Sequence, residues 1–219
     1  MKIGVAIPCY NKHIPQLLSL LDSLEEQTRK PDSVSVSCSS TEEFPTLREY
    51  SFPVRVYTTK ERQNPAKNRN IAARLLMDTD ILSFFDADDT MHPRRLEALE
   101  YAFQEPCDIV LHNFLFREET ELPYPEIQEF RIQRNQLSQC YSGCIRHQCA
   151  TMDYNARISH GHVTIRTELF RSVQFPEDAS CEHREDCVFC YCIFNLPNVR
   201  SVYLGDPLSK YIPSNSWKV

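Results

Sequence analysis

The stretch Ile81-Leu82-Ser83-Phe84-Phe85-Asp86-Ala87-Asp88-Asp89 is an apolar run that stops abruptly on three carboxylates. Five apolar or small residues ahead of the acids predict a buried strand, and strands buried on both faces belong to parallel sheets. Ligands of such sheets bind beyond the carboxyl ends of the strands, so the acids face a cleft. Residues i and i+2 of an extended chain project to one side, which brings Asp86 and Asp88 to a common ligand. Hard oxygen donors at that spacing suit Mg²⁺ or Mn²⁺ holding a diphosphate. Asp89 is then expected to point away and to cap a helix beginning near His92-Pro93. A turn and helix cap without any metal would use the same three acids, so the motif alone leaves both readings open.

Outward from this strand, the pattern alternates. Residues 2–8 form a strand, residues 14–24 carry apolar positions at helical spacing, and residues 34–38 and 53–57 alternate in the manner of strands. A helix over residues 66–77 opens at Pro65, residues 108–113 read as another buried strand, and residues 163–165, 185–194 and 199–204 read as strand, helix and strand. Residues 117–134 are polar and proline-bearing, an excursion with a strand expected at 127–132. Strands alternating with helices predict an α/β chain with a mostly parallel central sheet flanked by helices.

Composition removes several alternatives. The 219 residues carry a net charge of -6 with lysine and arginine dispersed, which speaks against nucleic acid as a partner. No apolar run approaches the ~20 residues of a membrane span, and the amino terminus lacks a signal-peptide pattern, so a cytoplasmic location is expected. The ten cysteines are then expected to be thiols. With only four glycines (Gly4, Gly143, Gly161 and Gly205), neither a dinucleotide turn nor a P-loop is present.

A second acidic pair, Glu185-Asp186, opens the late helix, with an apolar face expected at 187, 190, 191 and 194. Acids in a first turn are favoured by the helix dipole, and they also supply a general base. His160 and His162 flank Gly161, which permits close approach of the backbone to a ligand. Cys140, Cys144, His147 and Cys149, and Cys181, His183, Cys187, Cys190 and Cys192, do not match the spacing of a zinc finger, so Cys187 and Cys190 read as packing residues. Trp217 could stack on a sugar or cover core.

Pro8-Cys9-Tyr10-Asn11, Lys67-Asn68, Asp86-Ala87-Asp88-Asp89, His160-Gly161-His162 and Glu185-Asp186 occur in an order that resembles the family 2 glycosyltransferases of the GT-A fold. The resemblance is specific over residues 3–99 and 160–194. It implies a single GT-A, Rossmann-like domain over residues 1–219, with a nucleotide-binding half of about 1–113 and an acceptor-side half of about 114–219. It further implies a metal-dependent, inverting transfer from a nucleotide-diphosphate sugar, UDP-sugar favoured and GDP-sugar possible in kind, to a glycan or protein-glycan acceptor. By the same resemblance Pro8, Tyr10, Asn11, Ser39, Lys67, Asp86, Ala87, Asp88, His160 and His162 bind the donor, Asp88 and Asp86 hold Mn²⁺ or Mg²⁺, and Asp186, with Glu185 second, is the base. Three positions depart from the family pattern: Ser37-Cys38-Ser39-Ser40 replaces an aspartate at the second strand, Lys67 replaces an arginine, and the tail Lys210 to Asn215 lacks the late histidine or arginine. A nucleotidyltransferase and a non-catalytic sugar-nucleotide-binding module are the rival readings. The first would need a glycine-rich loop where Pro8-Cys9-Tyr10-Asn11 stands, and the second would have no use for both acidic groups.

Overall fold

The structure, a computed structural model, describes residues 1–139, 144–147, 157–181 and 183–212. Its chain order is β1 (Ile3–Tyr10), α1 (Ile14–Glu25), β2 (Ser33–Ser39), β3 (Val54–Thr58), α2 (Pro65–Arg74), β4 (Ile81–Phe84), β5 (Thr90–Met91), α3 (Arg95–Ala102), β6 (Ile109–Phe116), β7 (Ile132–Arg134), β8 (Leu137–Gln139), β9 (Ile145–His147), β10 (Thr164–Arg166), α4 (Thr167–Ser172), α5 (Glu185–Phe194) and β11 (Ser201–Tyr211).

The main sheet runs β3-β2-β1-β4-β10-β6-β11-β5, with β7 also on β11, and β8 pairs with β9 apart from it. The β3-β2-β1-β4 half is parallel throughout, as the strand–helix alternation predicts. β10 enters antiparallel between β4 and β6, and β6 then pairs in parallel with β11. A three-residue strand gives no sign of its direction in sequence, because alternation reads the same both ways.

The β2 sequence Ser-Val-Ser-Val-Ser-Cys-Ser shows how composition sets the two layers. Val34, Val36 and Cys38 join Leu17, Leu20, Leu21 and Leu24 of α1 in one core. Each such fully buried leucine contributes ~1.5–3 kcal/mol of transfer free energy. The serines lie against α2, where Ser35 donates to the Ala72 carbonyl at 2.7 Å and Ser37 donates to Asn68 Oδ1 at 3.0 Å. Small hydroxyl side chains let the helix approach the sheet while Ser35 and Ser37 keep hydrogen-bond partners.

Asn64 caps α2 by accepting from the Lys67 amide at 2.8 Å, with Pro65 in the first turn. The helix ends at Arg74, earlier than residue 77. No strand forms over residues 127–131; pairing begins at Ile132, where β7 meets β11. β11 extends to Tyr211, well past the expected end at 204, through register shifts around Pro207. A proline in a strand suggests an end, but at a bulge its missing N–H costs no ladder bond.

The buried residues of α5 are Glu185, Phe189, Cys190 and Ile193, so of the expected face 187, 190, 191 and 194 Cys190 is fully buried, Tyr191 and Phe194 pack half-buried against the core, and Phe189 and Ile193 take the inner positions. The helix is apolar nearly all round, which leaves periodicity without a decisive face. Packing decides instead: Phe189 stacks on Phe175 with centroids 3.8 Å apart, and Phe84 meets both rings edge-on. Among the described residues no helix is long and apolar enough to cross a membrane.

Candidate active site

The carboxyl ends of β1, β2 and β4, the start of α5 and the turn at His160–His162 converge on one place. Asn68 of α2 joins the first two ends, its Nδ2 donating to the Cys9 carbonyl and to Ser39 Oγ, each at 3.0 Å. Ser39 is therefore engaged in holding β2 to α2. Pro8 is buried, Tyr10 is half-buried and packs edge-on to His13, and Asn11 is exposed in the following turn. The Lys67 side chain, half-buried, makes no hydrogen bond or ion pair to a described residue.

The cation at the centre is Arg69. It lies 200° around the helix from Lys67, on the inner side, and its Nη2 donates to Asp86 Oδ1 at 2.6 Å while its Nη1 donates to Glu185 Oε1 at 2.7 Å. The basic residue of α2 that meets the acids is thus Arg69, two positions after Lys67. Burial alone would lower the Arg69 pKa, yet Asp86, Glu185 and Asp186 outweigh it and hold the guanidinium charged. Asp86 is nevertheless pushed up to about 6, chiefly by burial, with Arg69 opposing.

The three acids after β4 do not divide as an extended chain would divide them. The strand stops at Phe84, and the Asp89 amide donates to the Asp86 carbonyl at 3.3 Å, so residues 86–89 form a turn. A turn puts i and i+3 on one side. Asp86 and Asp89 accordingly meet His162, their ligand atoms all within 4.8 Å of one another. Asp88 faces elsewhere, 3.7 Å from His13 Nδ1, and burial followed by the Asp89 charge raises its pKa. Asp89 does not point away and caps no helix: it is buried, and its Oδ1 accepts from the Ile212 amide at 2.7 Å. The helix that follows starts at Arg95 without a side-chain cap.

His162 Nε2 lies 2.9 Å from Asp89 Oδ2, yet neither atom has a hydrogen-bonding partner of suitable geometry among the described residues. Two buried polar atoms with free valences directed at each other and at a third carboxylate form a group that could hold a divalent cation. Burial pushes Asp89 up to about 7 and His162 down to about 3, so the imidazole is neutral, as a ligand must be. Its other nitrogen, Nδ1, is engaged by Ser209 Oγ at 2.9 Å, which leaves Nε2 to face the acids. Ala87 is buried in the turn, and Gly161 allows a close approach: a Cβ there would lie 2.7 Å from Asp86 Oδ2.

Glu185 and Asp186 separate in role. Glu185 is buried against Arg69, with Oε2 unpartnered, whereas Asp186 is half-buried and accepts from the adjacent Cys187 amide at 2.7 Å. His160 is turned to the Ile145 carbonyl at 3.0 Å, and burial lowers its pKa. It lies beside Asp186 rather than with the acids of β4. Cys190 is buried and donates to the His160 carbonyl. Cys187 is half-buried and touches Cys144. Cys140, Cys149 and Trp217 lie outside the described residues. A cavity of about 410 Å³ opens at the other end of the sheet, lined by Met1, Asp80, Arg166 and Glu168 among others, and shares no residue with this site.

An acidic turn after the fourth strand, bridged by one arginine to an acidic pair on a late helix, is an arrangement that can be compared with known proteins. The family described as Glycosyl transferase family 2 matches residues 4–164, well over half of the chain. This chain belongs to glycosyltransferase family 2. The family match includes β1, α2, the acidic turn and His162, and ends before Glu185. Among solved structures, residues 1–349 of S. aureus TarS in complex with UDP-GlcNAc superpose with a TM-score of 0.69 at 17% identity, covering 98% of this chain and 59% of that one. The TarS complex with UDP gives 0.66 at 19% identity, covering 98% and 61%. At that identity the likeness establishes the GT-A type of fold for this family 2 chain, which spans about three fifths of the length of those TarS structures. No curated protein matches the chain.

Proposed function

We propose that this chain transfers a sugar from a nucleotide-diphosphate donor to an acceptor hydroxyl, with inversion at the anomeric carbon. The observation that carries the proposal is the Arg69 bridge, which sets the cation-binding acids of the β4 turn and the acidic pair of α5 on two sides of one guanidinium. Family membership supports the reaction class, and the UDP and UDP-GlcNAc bound by the TarS structures support a uridine donor.

Asp86, Asp89 and His162 would hold the divalent cation, with Asp88 the adjoining carboxylate on the His13 side. An imidazole in the set favours Mn²⁺ over Mg²⁺. The cation, when bound, would act as a Lewis acid for the departing diphosphate. Lys67 at the start of α2 would meet a phosphate as a point charge. Tyr10 and Pro8 at the end of β1 would flank the base. Asp186 takes the proton of the acceptor hydroxyl as its oxygen attacks, and a single displacement of this kind inverts the anomeric centre. Glu185, bound to Arg69, holds the helix start in place.

The test is a panel of nucleotide sugars screened for thermal stabilisation with and without Mn²⁺, followed by product analysis with the donor that binds. Release of nucleoside diphosphate with transfer to an acceptor supports the assignment. Consumption of nucleoside triphosphate with release of pyrophosphate would replace it by nucleotidyl transfer, and binding without turnover would replace it by a binding module.

A further inference from the structure

Arg95, at the first position of α3, is fully buried, and its four hydrogen bonds go to neutral acceptors. Nη2 donates to the His162 carbonyl at 2.8 Å and to the Phe84 carbonyl at 3.3 Å. Nη1 donates to Ser83 Oγ at 2.8 Å, and Nε donates to His112 Nε2 at 3.1 Å. His112 must then carry its proton on Nδ1, which faces the Asn113 carbonyl at 2.8 Å. No described carboxylate pairs with this guanidinium. An unpaired buried cation costs several kcal/mol, so the fold retains it against its solvation preference.

What the four bonds connect gives the residue a purpose. Phe84 is the last residue of the strand that delivers Asp86 and Asp89, and His162 closes the turn that delivers the imidazole. One planar group spans both. The Arg95 guanidinium also lies 4.9 Å over the Phe85 ring, and the His162 imidazole stacks on the same ring at 4.1 Å. Lysine could not reproduce this, because a single ammonium cannot donate in four fixed in-plane directions.

We infer that Arg95 is a positioning residue for the cation site, setting the distance between the β4 turn and His162; this rests on the assignment of Asp86, Asp89 and His162 as the cation ligands. Arg95 touches none of the reacting groups. It acts by holding the two backbone segments that carry them, as outer partners of metal ligands do.

The test uses Mn²⁺ alone, titrated into the full chain and followed by loss of the free-ion electron paramagnetic resonance signal, with Tm measured in chelator alongside. Arg95→Lys keeps the charge and loses the fork, while Arg95→Met removes the buried charge together with its donors and is expected to fold. Both variants should bind Mn²⁺ ~10–100-fold more weakly than wild type. A folded variant with wild-type affinity overturns the inference and leaves the ligand assignment standing. A purely structural arginine would lower Tm without changing affinity. Loss of the melting transition in both variants assigns Arg95 to the fold and also overturns its role at the site. Wild type that binds no Mn²⁺ overturns the ligand assignment and the inference with it.

Discussion

Arg69 Nη1 meets Glu185 Oε1 at 2.7 Å, which makes the first residue of α5 the partner of a guanidinium rooted in α2, with Asp86 on that guanidinium's other arm. Both members are almost fully buried. Removing one member of such a pair strands the other charge, so Glu185→Ala should cost ~3–5 kcal/mol in urea denaturation at neutral pH. A loss below ~1 kcal/mol would mean that Arg69 finds its compensation elsewhere.

Asp186 is the proposed base, half-buried beside the Cys187 amide. Asp186→Asn keeps the shape and loses the proton acceptor, so transfer should fall ~10²–10⁴-fold while donor binding survives. Glu185→Gln, which retains a hydrogen bond to Arg69, should slow turnover less. Near-normal turnover in Asp186→Asn with loss in Glu185→Gln would exchange the two roles.

Gly161→Ala places a methyl group 2.7 Å from Asp86 Oδ2, and the carboxylate has to move. Mn²⁺ affinity should drop ~10-fold or more, with Tm little changed, because the atom that yields is the end of a side chain. Unchanged affinity in calorimetry would remove Asp86 from the ligand set.

Burial raises Asp86 to about 6 and Asp89 to about 7, whereas both would titrate near ~4 in the unfolded chain. Between those values the native state keeps protons that the unfolded state has released, so this contribution to stability is present at low pH and is lost as pH rises through 6 to 7. His162, lowered to about 3 from the usual ~6.5, works in the opposite sense over most of the window. A difference experiment isolates the carboxyl. In chelator, the Tm of Asp89→Asn minus that of wild type should increase from pH 5 to pH 8, since the amide never ionises. Mn²⁺ should raise the wild-type Tm at pH 8 far more than at pH 5, because it binds the ionised form. A difference that is flat with pH would show that Asp89 ionises freely in the folded protein.

The parallel half of the sheet and the strand that ends on acids were legible because they depend on local pattern: apolar runs, β-branched alternation, and proline and asparagine at a helix start. Asp86, Asp186 and Glu185 stood out for the same reason, as acids placed where an apolar segment stops or starts. Arg69 did not, since a helix presents Lys67 and Arg69 to different neighbours and sequence spacing cannot say which neighbour is the site. Nor did Arg95 or Ser209, whose partners His162 and Phe84 lie on other elements.

By itself the sequence determined that this is an α/β chain with a carboxylate-lined strand end and a second acidic pair on a late helix, because hydrophobic periodicity and local termination signals are properties of consecutive residues. Only the tertiary structure decided which acids act together. The turn at residues 86–89 replaces the two-residue alternation of a strand, so that Asp89 and not Asp88 joins Asp86, and the antiparallel entry of β10 beside β4 carries His162 to them, 73 positions after Asp89 along the chain. That choice is made by long-range packing and by the need of buried polar atoms for partners, and neither is written in any short stretch of residues.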